Sequence, residues 1–365
     1  MSNQRARIAG LDGVRALCVL LVFTEHFVFG GHNLGGLGVK VFFALSGFLI
    51  VGILHGQRAK VEAGASTAAR ELRSFWVSRS LRIFPIYYLV LTLLLAKFLL
   101  KGVPLHTDGL RYYFVFLGNV YIQYKSHAWS NISHLWSISV EQHFYLLASP
   151  LLLWTSAARH HLITLALLAV SVAAAVVDFA NYENVPQPYL PDLPFFAFMA
   201  CGALLALARA AGKQVLTPAL LAAVFLVGAV LFADASAGAF TITSAGALRG
   251  LRELGALMIC FAVLAYIPAA QEGQIVRALE FAPLRYLGTI SYGFYVYHYF
   301  FPNFLQYADR LTWLPYASVF LVAAQFLATC VVAALSWEVL ERRLLSFKKR
   351  RQPGAGGAAV GAVPG

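Results

Sequence analysis

Apolar windows long enough to cross a bilayer, about 17–25 residues each, recur near residues 11–30, 37–55, 83–103, 135–155, 162–179, 193–211, 216–233, 250–268, 286–305 and 316–339. Connectors that hold most of the basic residues separate them. A chain in lipid must satisfy its own backbone hydrogen bonds, and uniformly apolar runs of this length do so as helices. The pattern therefore predicts an all-α membrane protein of about ten transmembrane helices. One further aromatic stretch, residues 111–122, is too short to span and reads as either re-entrant or interfacial.

Composition agrees with the pattern. Of the 365 residues, 60% are hydrophobic and 12% charged, about half the charge fraction of a soluble domain. The net charge of +12 would suit a nucleic-acid partner, but the basic residues lie in the connectors, where the lipid bilayer is the simpler partner. With ten crossings, about 19 Lys and Arg fall on the side of the termini and about 8 on the other, which predicts cytoplasmic N- and C-termini. The connector 180–192, with Glu183 and Asp192, lies on the opposite side and has no Lys or Arg. Arg5 and Arg7 precede the first apolar run, yet no small-residue cleavage site follows, so the run reads as an uncleaved helix. The membrane domain is expected over residues 1–345. Residues 346–365 read as a tail, basic and then rich in Gly and Ala, that is disordered. Cys18, Cys201, Cys260 and Cys330 are far apart within apolar runs and suggest neither a disulfide framework nor a metal site.

The exceptions to the apolar pattern carry the chemistry, because ionisable groups in a membrane segment are costly and usually face a polar interior. Arg15 and His26 lie eleven residues apart in the first segment. That spacing is about three helical turns, so they share a face roughly 16 Å apart along the axis. In the second segment Ser46 follows glycines at 35, 36 and 38 and precedes Gly47. Arg79 and Arg82, three apart, either clamp a phosphate or set topology beside lipid headgroups. His134, Ser137, Glu141 and Tyr145 follow one another at helical steps, with Trp136 among them, and make a polar stripe. Ser291, Tyr292 and His298 mark a later helix, and Glu341 beside Arg342 and Arg343 reads as a helix-end ion pair. Counted from the outer helix ends, His26 and Glu141 fall at nearly the same depth, whereas Arg15, Arg79 and Arg82 gather at the inner side.

Taken in order, these residues resemble the acyltransferase 3 family of membrane O-acyltransferases. The matching pieces are Arg15 with His26, the run from Gly38 to Leu49, and Arg79 with Arg82, Ile83 and Pro85. After them come Leu135–Ser137 with Glu141, Phe144 and Tyr145, then Ser291-Tyr292 before His298, and last Glu341-Arg342. Together they cover residues 8 to about 345. Arg343 stands where relatives commonly have proline. The resemblance implies transfer of an acyl group, usually acetyl from acetyl-CoA, to a hydroxyl of a carbohydrate such as a cell-surface polysaccharide, lipopolysaccharide or another glycoconjugate, in the bacterial cytoplasmic membrane. Acyl-CoA is then a co-substrate, with no bound cofactor, and a carbohydrate or glycolipid is the acceptor.

On this reading His26, Glu141 and Arg15 form the catalytic group, and Arg79 and Arg82 hold the donor's phosphates. His26 acts as general base on the acceptor or carries the acyl group itself, with Glu141 orienting its imidazole. Glu25 is the less natural partner for that ring. Ser46, His134, Trp136, Ser137, Tyr145, Ser291, Tyr292 and His298 are candidate cavity-lining residues. The competing reading is a secondary transporter with His26 and Glu141 as a proton relay. The acceptor, the acyl chain length and the oligomeric state are not legible in the sequence.

Overall fold

The computed structural model describes residues 7–101, 107–184, 188, 190–237, 244–300, 303–310 and 316–351, and these form helices and their connectors with no strand among them. Seven helices among them are long and apolar enough to cross a membrane by themselves: Leu34–Glu62, Ala68–Lys97, Ala157–Ala180, Asp192–Ala210, Pro218–Ala237, Ala245–Ala269 and Ala317–Ser346. Three of the ten expected windows are helical without meeting that standard. The first, α1 (Leu11–Phe27), has only 17 residues. The fourth is thinned by its polar stripe, and the ninth is broken in two.

Helix α1 leads into α2 (Leu34–Glu62) through a connector fastened by Glu25. Its carboxylate accepts hydrogen bonds from the Gly31 and Leu34 amides, each 2.9 Å. It thereby satisfies a free donor at the start of α2, where a negative charge also suits the helix dipole. Helix α2 is the central element, in contact with α1, α6, α8 and α10. Helix α3 (Ala68–Lys101) follows. The aromatic stretch at 111–122 then folds back onto the bundle as α4 (Thr107–Phe114), α5 (Gly118–Tyr121) and a π turn, Ile122–Ser126. The Tyr87 and Tyr88 hydroxyls donate to the carbonyls of Tyr113 (2.7 Å) and Phe114 (3.0 Å) and tie this segment to α3. As a result α6 (Trp136–Trp154) starts inside the protein rather than at its edge, with Ser133 and Leu135 already buried.

The chain continues through α7 (His160–Ala180), α8 (Asp192–Ala210), α9 (Pro218–Ala237) and α10 (Ala245–Ala269). Helices α7 and α9 leave Val176, Val177, Leu226 and Val230 exposed, as expected of faces turned to lipid. Two short helices, α11 (Gln274–Leu279) and α12 (Ala282–Thr289), precede α13 (Ser291–Tyr297). The expected span 286–305 is thus interrupted at Ile290, although its aromatic and apolar content runs straight through the break. Helix α14 (Ala317–Ser336) ends in a π turn, Trp337–Glu341, and passes into α15 (Arg342–Arg351). The expected disordered tail is therefore helical as far as Arg351, and residues 352–365 lie outside the described residues.

Glycines set a close crossing of α2 and α8. A side chain added at Gly47 of α2 would run into the Met199 backbone of α8, and one at Gly202 of α8 would run into the Ala44 carbonyl. Small residues permit such approach in membranes, where packing rather than water expulsion holds helices together. Gly47→Val is expected to destabilise the protein by at least about 1–3 kcal/mol, the usual cost of overpacking. A lowered thermal unfolding midpoint in detergent checks this.

Helix α2 also meets a charge problem at its contact with α10. Lys40, 6% exposed in the second turn of an apolar helix, meets Glu253 of α10 at 2.7 Å. Removing one partner leaves a buried charge uncompensated, at a cost of about 3–5 kcal/mol. Lys40→Met should therefore lower stability by that order, and adding Glu253→Met should restore most of it. Thermal unfolding of the single and double variants checks the pairing.

Candidate functional site

Three arginines form a neck between two cavities. Arg15 comes from the first turns of α1, and Arg79 and Arg82 share one face of α3. All three line a wide cavity of about 650 Å³, together with Arg7, Asp12, His55 and Arg209. The same three also line a narrower cavity of about 100 Å³ deeper in the bundle, with Ser46, Ser137, Glu141, Tyr145, Ser291, Tyr292 and Tyr295. Few negative charges balance this cluster. Asp12 meets Arg15 at 3.4 Å and Arg7 at 2.9 Å. The Arg79 Nε is buried without a hydrogen-bond partner. Like charges held together beneath an open cavity make a strong anion-attracting mouth. Arg15, Arg79 and Arg82 gather here as their sequence positions predict, whereas Arg7, His55 and Arg209 join them only through the way α1, α2 and α8 converge.

Glu141 belongs to this arginine end. Its carboxylate accepts hydrogen bonds from the Ser46 hydroxyl and from the Tyr145 hydroxyl. The helical spacing of 141 and 145 and the α2–α6 contact bring these groups together. Tyr292 donates to the Ile83 carbonyl at 2.7 Å and so holds α13 against α3. Two further lining residues of the narrow cavity, Ser137 and Tyr295, join a short chain of bonds toward His134. The Tyr295 hydroxyl donates to the His134 carbonyl (2.6 Å), which leaves Ser137 to donate to Tyr295 (2.7 Å).

His26 lies at the opposite end of α1, exposed, with its Nδ1 2.8 Å from the Tyr299 hydroxyl. Its ring stacks on His298, with centroids 5.3 Å apart and planes at 27°. His134 completes the group, its ring centroid 4.7 Å from that of His298. His134 Nε2 donates to the Val296 carbonyl (3.2 Å) and His298 Nδ1 to the Tyr295 carbonyl (2.6 Å). Tyr299, absent from the sequence reading, sits among all three rings.

The expected pairing of His26 with Glu141 is not what the structure shows. Gly35 packs against Glu25 and Gly38 against Cys18 and Val22, so α1 and α2 run antiparallel in a fixed register. That register brings Ser46, and Glu141 with it, to the level of Arg15. His26 is roughly three turns away, on the order of 16 Å. Counting depth from helix ends failed because α6 begins below the edge of the bundle. Glu25 does not replace Glu141, since its carboxylate is taken up at the start of α2.

The other candidates divide between the two ends. Ser46, Ser137, Tyr145, Ser291 and Tyr292 line the narrow cavity as expected. His134 and His298 lie instead with His26. Trp136 lines neither and packs among Phe43 and Phe195, with ring centroids 5.9 and 4.9 Å away. Glu341 is not a helix-end ion pair. Glu338 takes Arg342 at 2.6 Å, while Glu341 is 3% exposed, with an unpartnered Oε1 beside Gly293. The π turn Trp337–Glu341 interrupts the regular helix and carries this carboxylate into the interior.

Residues 8–338 match the acyltransferase 3 family, described as an acyltransferase domain. The chain is 26% identical to the peptidoglycan O-acetyltransferase OatA of Listeria monocytogenes, across 92% of this chain and 56% of that protein. Identity to the O-acetyltransferase OatA of Staphylococcus aureus is 24%, across 92% and 56%. It is 28% to YrhL of Bacillus subtilis, named as a candidate peptidoglycan O-acetyltransferase, across 92% and 54%. The chain thus spans about half the length of the curated relatives it matches. No solved structure matches it. With its apolar helices and these bacterial relatives, the chain is an integral, multi-pass bacterial membrane protein. A family match over nearly its whole length establishes that it belongs to the acyltransferase 3 family.

Proposed function

We propose that this protein is a membrane O-acyltransferase that takes an acyl group, acetyl in the simplest case, from acyl-CoA at the arginine end. It delivers the group to a glycan hydroxyl at the His26 end. The observation that carries this reading is the arginine neck. Arg15, Arg79 and Arg82 converge between a cavity of about 650 Å³ and a narrower one of about 100 Å³. The phosphates of coenzyme A suit guanidinium groups, and the thin pantetheine arm suits the narrow passage beyond them. The roughly 16 Å between the Arg15 and His26 levels is a distance that such an extended arm covers. With the expected topology, the neck faces the cytoplasm, where the donor is, and His26 faces the far side of the cytoplasmic membrane, where the glycan is.

His26 removes the proton from the acceptor hydroxyl as the oxygen attacks the acyl carbon, and the thioester C–S bond breaks. The imidazolium then returns the proton to the departing thiolate. Glu141 takes a different part from the one its helix position suggested. Bonded to Ser46 and Tyr145, it supplies negative charge inside the arginine end and shapes the passage. Peptidoglycan, named in the relatives, is the acceptor we favour over lipopolysaccharide. The family match supports an acyltransferase over a transporter.

Reconstituted protein given labelled acetyl-CoA and soluble peptidoglycan fragments tests the reading. Release of free CoA that depends on the acceptor, with label on the glycan, is expected. Label crossing the membrane without CoA release would overturn it in favour of a transporter.

A further inference from the structure

His26 needs a partner on its Nδ1 to act as a base through Nε2, and Tyr299 is the group the structure places there. The hydrogen bond of 2.8 Å between them can run in two directions. If the phenol donates, the neutral imidazole carries its hydrogen on Nε2 and has no lone pair for a substrate proton. If Nδ1–H donates to the phenolic oxygen, Nε2 is bare.

The neighbouring ring shows the second arrangement already built. A carbonyl only accepts, so the 2.6 Å contact between His298 Nδ1 and the Tyr295 carbonyl fixes the hydrogen on Nδ1. The His298 Nε2 is then bare, and it is buried without a partner, in a residue with 0% exposure. His298 stacks on His26 at 5.3 Å and lies 4.8 Å from the Tyr299 ring, so it fixes the plane in which both move.

We infer that Tyr299 is the positioning residue for His26. Its oxygen accepts Nδ1–H and holds the tautomer with Nε2 bare, while His298 fixes the ring plane from behind. This rests on the reading of His26 as the base. The role is the one a carboxylate plays behind a catalytic histidine, filled here by a neutral oxygen. During transfer the hydroxyl proton goes to Nε2, the new C–O bond forms, the C–S bond breaks, and the proton leaves from Nε2 to the thiolate. The other hydrogen stays on Nδ1, donated to the Tyr299 oxygen throughout. A neutral oxygen orients the imidazolium without neutralising it, so its removal should cost less than loss of a triad carboxylate, which is about 10⁴-fold.

The test compares Tyr299→Phe and His26→Ala in the reconstituted assay with labelled acetyl-CoA and soluble peptidoglycan fragments. Phenylalanine keeps the ring contacts and deletes only the oxygen. Tyr299→Phe is expected to lower kcat about 10- to 100-fold, the usual effect of removing a group that orients a functional histidine, with the acetyl-CoA KM and the thermal midpoint unchanged. A normal kcat in Tyr299→Phe beside an inactive His26→Ala would overturn the positioning role and leave the base intact. Parallel loss of kcat, donor affinity and stability would reduce Tyr299 to packing and overturn it as well. Full activity in His26→Ala would remove the base reading beneath it.

Discussion

His26→Ala is expected to abolish acyl transfer while the protein still folds and still binds its donor. General-base catalysis contributes about 10²–10⁴-fold, so residual turnover should fall to that fraction or below. The fold should survive because the imidazole is exposed and, among the described residues, hydrogen-bonds to Tyr299. Donor binding should survive because the arginine neck lies about three turns away along α1. The measurement is CoA release and glycan labelling in vesicles, with donor binding followed separately. Near-normal transfer by the variant would sink the assignment. Loss of donor binding together with transfer would show that the two ends of the protein are not separate sites.

The second large effect is expected at Arg79 and Arg82. Each hydrogen bond to a charged group contributes about 1.5–3 kcal/mol, or roughly tenfold to a hundredfold in affinity. Arg79→Ala with Arg82→Ala should therefore raise the acyl-CoA KM by at least about a hundredfold, with a smaller effect on the rate at saturation. The alternative, that these residues only set topology, is separated by Arg79→Lys with Arg82→Lys. Lysine keeps the positive charge that orients the segment but loses the planar fork that grips phosphate. The double lysine variant should insert normally and still bind donor weakly. An unchanged donor KM in both double variants would return the arginines to a topological role.

Which features could be read from the chain depends on how local their cause is. The long helices are legible because about 20 apolar residues in sequence are themselves the cause of a span. The break at Ile290 is not, because the aromatic residues either side of it keep the segment apolar. The arginine neck was partly legible, since Arg79 and Arg82 are neighbours on one helix. Arg209 joins it only through the packing of α8 on α2. Glu141 stands out in the sequence as a carboxylate within an apolar helix, but its place at the arginine end does not, because nothing local shows that residues 107–135 fold over the start of α6. Lys40 and Glu253 pair across 213 residues of sequence, and only the folded chain brings them together. Tyr299 follows His298 directly and looked like one more aromatic residue in an aromatic run.

The glycine contacts of α2 also divide the protein mechanically. Gly47 and Gly202 bring the backbones of α2 and α8 together, and Gly38 brings α2 onto the Cys18 carbonyl of α1. Backbone against backbone leaves no side chain to swing aside, so these three helices move as one spine. The contacts between the narrow cavity and the histidines, by contrast, are made by the Ser137 hydroxyl of α6, the Tyr295 hydroxyl of the seven-residue α13, and the His134 carbonyl just before α6. On the proposed reading, an acyl group passing between the two ends crosses these few hydrogen bonds rather than the glycine-packed side.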